Sequence, residues 1–293
     1  MLAPTALGKS RGLGDTTFRW AAVGAAGLVL VILAMIAVTM TQKAMPTLGR
    51  MGVDFFTTTR WSEPSDAYGA LPFIWGTLYT ALIALVLAVP VSLGMALFIT
   101  QVAPPWLRKP LVYLTDLLAV VPSVVFGLWG VLVLAPALGI GRSFLTAGMI
   151  LAVMITPIIT SLAREVMDTT PATEKEAALA LGATRWEMIR AAVLPHSKGG
   201  LVGGVMLGLG RALGETIAAA LVIGSALGQI TPNPLASGNS MPAVIANEWG
   251  EAGELHKSAL VALAVTLFVI TVAVNWVAGV IVQRSMKKQG ALA

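Results

Sequence analysis

Long stretches without a charged residue divide this sequence of 293 residues, and they constrain its fold more than any other feature. The uncharged runs cover residues 20–42, 67–107, 117–141, 143–163, 216–247 and 258–283. A helix of about 20 apolar residues crosses the hydrocarbon core of a bilayer. Only 11% of the residues are charged, compared with about 25% in soluble domains. The sequence therefore predicts an all-α, polytopic integral membrane protein.

Six transmembrane helices account for these runs. Four runs are one span each: 20–42, 117–141, 143–163 and 258–283. The run 67–107 is too long for one span, and its aromatic start suits an interface, so the span is placed at 74–100. The segment "GQITPNPLASGNSMP" at 228–242 breaks any helix. The fifth span is therefore placed at 200–227.

The positions of Lys and Arg predict the orientation of the spans, since these residues concentrate in cytoplasmic segments. With the N-terminus inside, thirteen lie on the inner side and five on the outer side. The inner residues are Lys9, Arg11, Arg19, Arg108, Lys109, Arg164, Lys175, Arg185, Arg190, Lys198, Arg284, Lys287 and Lys288. The outer residues are Lys43, Arg50, Arg60, Arg142 and Lys257. We expect cytoplasmic tails at 1–19 and 286–293, and a transmembrane domain at 20–285.

Several function classes are disfavoured by composition. The chain has no cysteine and two histidines, His196 and His256, so disulfides, thiol catalysis and a metal centre are not expected. It has no G-x-x-x-x-G-K-[ST] motif for a nucleotide. Its net charge of +5 is spread between apolar runs, which does not suit nucleic acid. We expect neither an enzyme nor a cofactor.

The loop 164–198 is long and carries charges of both signs. Its first half is rich in Ala and Leu, which favour a helix. Two beginnings are possible for this helix: Thr170 with Pro171, or a capping box of Thr173 with Glu176.

A break and a second helix follow in the same loop. Gly182 supplies a left-handed cap, and the second helix covers 184–194 and ends at Pro195. The hairpin either connects two spans only, or docks its small, nearly flat Ala-rich face into a groove of a partner protein.

The segment "EAALALGATRWEMIRAAVLP" at 176–195 resembles the EAA loop of ABC importer permeases. The residues at the family's positions are Glu176, Ala177, Ala178, Gly182 and Pro195. In that family the segment is a coupling helix that inserts into a cleft of the cytoplasmic ATPase subunit. The resemblance implies that Glu176, Ala177, Ala178 and Gly182 couple this chain to a separate ATPase through the loop 173–195.

Arg211 and Glu215 fall inside the predicted fifth span, where ionisable groups are costly. Their spacing places them on one helical face, where they can pair. Two interpretations stay open: an ion pair that holds spans together, or the polar lining of a pathway. In the pathway, Arg211 meets an anion and Glu215 holds Arg211 when the site is empty. Arginine suits oxyanions because its planar fork donates two hydrogen bonds at once.

Small residues recur along the same predicted span. They are Gly200, Gly204, Gly208 and Ala212. Such spacing allows another helix to approach closely.

The segment "GRALGET" at 210–216 resembles the Gly-Arg-Ala-x-Gly-Glu-Thr motif of phosphate ABC importer permeases. Three further segments resemble the PstC type of permease more than its PstA partner: 74–98, 117–130 and 243–252. The likeness covers 70–285. In the family, the Arg and Glu of this motif are implicated in phosphate translocation. The matching residues are Arg211 and Glu215.

The resemblance implies a type I ABC importer permease fold in the bacterial inner membrane. It also implies four kinds of partner besides lipid: a PstA-type permease, two PstB-type ATPase subunits, a PstS-type phosphate-binding protein outside, and phosphate itself. Three alternatives stay open. The first is an ABC permease for sulfate, molybdate or phosphonate. The second is a secondary anion transporter in which Glu215 carries a proton, and the third is a membrane scaffold without transport.

Overall fold

The computed structural model of the chain describes residues 13–290, and most of them are helical. The helices are α1 (Leu13–Met51), α2 (Asp54–Thr57), α3 (Leu71–Leu97), α4 (Pro105–Val120), α5 (Ser123–Trp129), α6 (Ala135–Leu138), α7 (Phe144–Asp168), α8 (Ala172–Ala180), α9 (Arg185–Met188), α10 (Leu194–Gly214), α11 (Ile217–Val222), α12 (Met241–Glu248) and α13 (Glu254–Gly290). Two short strands, β1 (Trp61–Ser62) and β2 (Ala67–Tyr68), pair antiparallel. Most of the predicted tail 1–19, and residues 291–293 of the predicted tail 286–293, lie outside the described residues.

Four of the described helices are long and apolar enough to cross a membrane. They are Thr16–Met51, Leu71–Val102, Phe144–Asp168 and Glu254–Val277. These segments contain or largely overlap the predicted first, second, fourth and sixth spans. The α3 span includes a π-helical turn at Phe98–Val102, which continues the helix beyond Leu97.

The predicted third span, 117–141, is not one straight helix. Residues Pro105–Val120 and Ser123–Leu138 form a pair of helices bent by 92°. The bend lies at Val121–Pro122, where both residues have extended backbone. Proline lacks an N–H and disfavours helical geometry in the residue before it, so α4 ends there. If the bent pair is one span, the described part of the chain has five candidate spans.

The predicted fifth span, 200–227, is wrong as a single helix. Helix α10 ends at Gly214, Glu215 has extended backbone with φ −70° and ψ 122°, and α11 begins at Ile217. The carboxylate of Glu215 accepts a hydrogen bond from the Ala218 N–H at 3.3 Å. This bond gives one free amide of α11 a partner, which lowers the cost of breaking a helix among apolar residues.

Helix α7 lies at the centre of the helix packing, in contact with α3, α4 and α10. Small residues of α10 face it, and a methyl group added at Gly200 or Gly208 would overlap Val166 or Ile159 of α7. The prediction that the glycine stripe lets a second helix approach closely is confirmed for these positions.

The two ends of the bundle are held by polar contacts between distant segments. At one end, the indole N–H of Trp61 and the Nε2 atom of His256 both donate to Glu248 at 2.8 Å. The ring of Tyr68 stacks on His256, and burial raises the pKa of the Tyr68 hydroxyl, with nearby carboxylates adding to the effect.

At the opposite end, two ion pairs fix α4 to the C-terminal part of α7. The guanidinium of Arg108 donates to both carboxylate oxygens of Asp168, at 2.8 and 2.6 Å. Arg164 lies 3.8 Å from Asp116.

Candidate functional site

The predicted coupling residues lie on α8 and in the turn after it. Glu176, Ala177 and Gly182 are exposed, and Ala178 is partly buried. Next to them, the side chain of Leu181 is 90% exposed.

The turn after α8 has the predicted form. Gly182 adopts φ +86°, and the N–H of Ala183 donates to the carbonyl of Ala178 at 3.2 Å. This left-handed ending satisfies a carbonyl at the end of α8. The prediction that Gly182 forms a left-handed cap is therefore confirmed.

The beginning of α8 differs from both predicted forms. Its N-cap is Pro171, and no side chain caps the helix. The capping box lies instead at the start of α9, where Thr184 and Glu187 bond each other's backbone N–H. These hydrogen bonds, first from the Thr184 backbone and then from its side chain, lower the pKa of Glu187.

The predicted helix end at Pro195 is wrong. A π-helical turn at Ile189–Val193 joins α9 directly to α10, and Pro195 lies in the first turn of α10. The wider π turn accommodates a residue that has no N–H to donate and whose ring crowds the preceding turn. One continuous helical segment therefore runs from Arg185 to Gly214.

Buried side chains anchor this segment to the bundle. Met188, Ile189 and Val193 pack with Ala163 and Met167 of α7. The start of α9 is therefore connected to the bundle in two ways, through the continuous helix into α10 and through packing on α7.

Arg211 lies in the last turn of α10, on an exposed face. It borders an open cavity of about 470 Å³, whose other lining residues are Ile158, Met206, Leu207, Gly210 and Asn275. A cation in the last turn of a helix is stabilised by the partial negative charge of the helix C-terminus.

The described residues give Arg211 no partner for an ion pair or hydrogen bond. Glu215 is not on the same helical face, because α10 ends before it, and its carboxylate bonds to Ala218 instead. The structure therefore does not bring Arg211 and Glu215 together as the predicted pair. An unpaired guanidinium in a mostly apolar cavity attracts an anion.

The break after α10 borders a second open cavity, of about 500 Å³. Gly214 and Thr216 line it together with Trp249 of the segment after α12 and Leu267 of α13. Two open cavities thus border the C-terminal end of α10, one lined by Gly210 and Arg211 and the other by Gly214 and Thr216.

Sequence reasoning missed Asn275 and Thr216 as cavity residues. Asn275 is a polar residue inside the uncharged run 258–283, and that contrast could have identified it. Thr216 ends the quoted segment 210–216, but it was not identified as a cavity residue because the helix break next to it was not predicted. No group of three or more His, Asp or Glu residues in the described part of the chain could hold a metal ion.

A protein-family model matches residues 88–287 of the chain. The family is described as the binding-protein-dependent transport system inner membrane component. The match includes both the α8–α9 segment and Arg211.

Curated relatives match over nearly the full chain. The phosphate transport system permease protein PstC of Xylella fastidiosa (strain Temecula1) is 42% identical, over 94% of this chain and 93% of that protein. The protein of the same name from Haemophilus influenzae is 38% identical, over 90% and 91%. PstC 2 of Mycobacterium tuberculosis is 39% identical, over 89% and 90%.

Solved structures share the fold. A chain of a bacterial alginate ABC transporter in complex with its pentasaccharide-bound periplasmic protein has a TM-score of 0.65, with 16% identity over 94% of this chain and 98% of that chain. A chain of the inward-facing MetNI methionine ABC transporter has a TM-score of 0.62, with 17% identity over 77% and 99%. At these identities the likeness concerns the fold alone.

Proposed function

The chain belongs to the binding-protein-dependent transport system inner membrane components, and within them to the PstC permeases of phosphate transport systems, and on this premise we propose how its residues move the anion. It is a permease subunit of a phosphate ABC importer and not an enzyme. Its all-α fold is that of ABC importer permeases. It works in the inner membrane with an ATPase and a binding protein.

Phosphate passes the guanidinium of Arg211. The observation that carries this assignment is the absence of any partner for Arg211 among the described residues, although it borders an open cavity with a mostly apolar lining. A charge in such a place is costly unless a ligand or a partner meets it. A planar guanidinium donates two parallel hydrogen bonds to an oxyanion.

Glu215 acts at the same site in a different way from the predicted ion pair. Its bond to the Ala218 N–H keeps α10 and α11 separate. Arg211 is thereby held at the end of α10, and Gly214 and Thr216, on either side of Glu215, line the second cavity.

Glu176, Ala177, Ala178 and Gly182 dock on the ATPase. The continuous helix from Arg185 to Gly214 supports this role, because it begins at the turn that follows the docking residues and contains Arg211. Closure of the ATPase subunits on ATP displaces α8 and α9, and the displacement reaches the cavity along α10.

The assembly contains a PstA-type permease, two PstB-type ATPase subunits and a PstS-type binding protein outside. Both termini are cytoplasmic, because this orientation places most Lys and Arg on the inner side. The membrane domain is 20–285, with tails at 1–19 and 286–293 and the coupling loop 164–198 inside.

Uptake of labelled phosphate tests the role of Arg211, in cells that depend on this permease and in the presence of excess sulfate. Arg211→Gln removes charge-assisted hydrogen bonds, and we expect the initial uptake rate to fall about 10- to 100-fold. Arg211→Lys keeps the charge without the planar fork and should be intermediate.

Arg142→Gln is the matched control, because Arg142 is an exposed arginine outside this cavity. It should transport at the normal rate. A normal rate for Arg211→Gln at normal membrane levels would place Arg211 outside the pathway. Loss of wild-type uptake in excess sulfate would assign a different oxyanion to the permease.

A further inference from the structure

Asn275 shares the cavity of Arg211. It lies on α13, near the middle of a long apolar helix, and its side chain is exposed. The remaining lining residues, Ile158, Met206, Leu207 and Gly210, have no polar side-chain group. Arg211 and Asn275 are therefore the polar side chains that a ligand in this cavity meets among the described residues.

The orientation of the Asn275 amide is fixed by its hydrogen bond. The Nδ2 atom donates to the backbone carbonyl of Thr271 at 2.9 Å. A carbonyl oxygen only accepts, so the atom bonded to it must be the nitrogen. The Oδ1 atom then remains as an acceptor, and the described residues provide no donor to it.

The two side chains offer complementary chemistry. The Arg211 guanidinium only donates, while the Asn275 Oδ1 atom only accepts. Helical side chains slope toward the N-terminus of their helix, which directs Arg211 toward Met206 and Leu207, the residues that line the cavity with Asn275. A ligand that satisfies both groups has oxygen acceptors on one side and a hydroxyl donor on the other.

We propose that Asn275 is a specificity-determining residue whose Oδ1 atom accepts the hydroxyl proton of a protonated oxyanion while Arg211 binds its unprotonated oxygens. This inference rests on the proposed function, in which the anion passes Arg211. Hydrogen phosphate and dihydrogen phosphate carry such a proton near neutral pH, and sulfate does not. A site that bonds a ligand hydroxyl discriminates against analogues without it, because its acceptor is then left unpaired.

The test is the initial rate of labelled phosphate uptake through the intact importer in cells, with four variants and wild type in parallel. Asn275→Leu removes the acceptor at similar size, and we expect uptake about tenfold slower. Asn275→Asp keeps an acceptor and adds a negative charge. We expect the ratio of its uptake rate to the wild-type rate to decrease as the pH is raised from about 6 to about 8. The reason is that phosphate gains its second negative charge across this range.

Thr271→Val is the matched control. This substitution is a polar-to-apolar change one turn away on α13. The Thr271 hydroxyl donates to the carbonyl of Leu267 within the helix, and Thr271 does not line the cavity. It should transport at the wild-type rate at both pH values. Membrane levels and co-purification of the ATPase are measured for every variant. Since Asn275 is exposed, neither of its substitutions disturbs a packed position.

The inference is overturned if Asn275→Leu and Asn275→Asp stay within about twofold of wild type at both pH values, a change smaller than one hydrogen bond supplies. It is also overturned if the ratio of Asn275→Asp to wild type does not change with pH. Arg211→Gln in the same assay separates the two proposals. If uptake is slow for Arg211→Gln but normal for both Asn275 variants, only this inference is contradicted. If uptake is normal for Arg211→Gln, the pathway past Arg211, on which the inference rests, is contradicted.

Discussion

At the scale of single residues, the arginines of this chain differ in whether a carboxylate meets them. Arg108 and Arg164, near the ends of α4 and α7, face Asp168 and Asp116. Arg211 has no such partner among the described residues and borders a cavity instead. Its place in the lining of a cavity, rather than the lack of a carboxylate alone, supports the proposal that a ligand meets this charge.

At the same scale, some glycines lie where a neighbour leaves no room for a side chain, and others lie beside open space. Two glycines of α3 allow the two cases to be compared. A methyl group at Gly76 would overlap the backbone carbonyl of Asn239, while nothing lies within 4 Å of one at Gly94. Gly76→Ala should therefore destabilise the fold by about 1–3 kcal/mol through overpacking.

Gly94→Ala is the control, in the same helix and with the same chemical change. It should leave stability unchanged or raise it by up to about 1 kcal/mol, because alanine favours a helix. Thermal unfolding of the purified permease in detergent measures both. Equal midpoints for the two variants would contradict the packing of α3 against Asn239.

At the scale of elements, the long apolar helices could be predicted because length and hydrophobicity determine them. The ending of α8 could also be predicted, because Gly182 is a residue that adopts positive φ without strain. The break at Glu215 was not predicted, because the small and apolar residues around it are equally compatible with one continuous helix, and the local bond from the Ala218 N–H to the Glu215 carboxylate forms only once that helix is broken. The helical turn through Pro195 depends on a π turn that leaves no residue pattern of its own.

The same reasons apply to the candidate site. Arg211 was identified because a charge in an apolar run is unusual. Its predicted pairing with Glu215 assumed an unbroken helix and is wrong in the structure. Asn275 comes from α13, far along the chain, and only the packing of α10 with α13 brings it to the cavity.

The left-handed turn after α8 gives a prediction for coupling. Gly182→Val places a β-branched residue at φ +86°, which costs about 1–2 kcal/mol. We expect the ending of α8 to shift and both co-purification of the ATPase and phosphate uptake to decrease.

Gly182→Asn is the matched variant, because asparagine tolerates this conformation better. It should retain most of the ATPase and most of the uptake. If Gly182→Val keeps both at wild-type levels, the geometry of this turn is not needed for docking.

At the scale of the whole molecule, α7 and α10 connect the two functional regions. The helical segment after the proposed docking residues packs on α7 through Met188 and Val193. Helix α10 packs on α7, α13 and α3. The cavity residues lie on these same helices. We propose that a movement of the coupling segment reaches the cavity through these contacts.

The central claim is that this chain is the permease of an ATP-driven phosphate importer, and reconstitution tests it most directly. The chain is placed in proteoliposomes with its partner permease, the ATPase and the binding protein, and accumulation of labelled phosphate is measured with and without ATP on the ATPase side. We predict accumulation only when ATP, the ATPase and the binding protein are all present, and no competition from excess sulfate. Accumulation driven by a pH gradient without the ATPase would contradict the account and identify a secondary transporter.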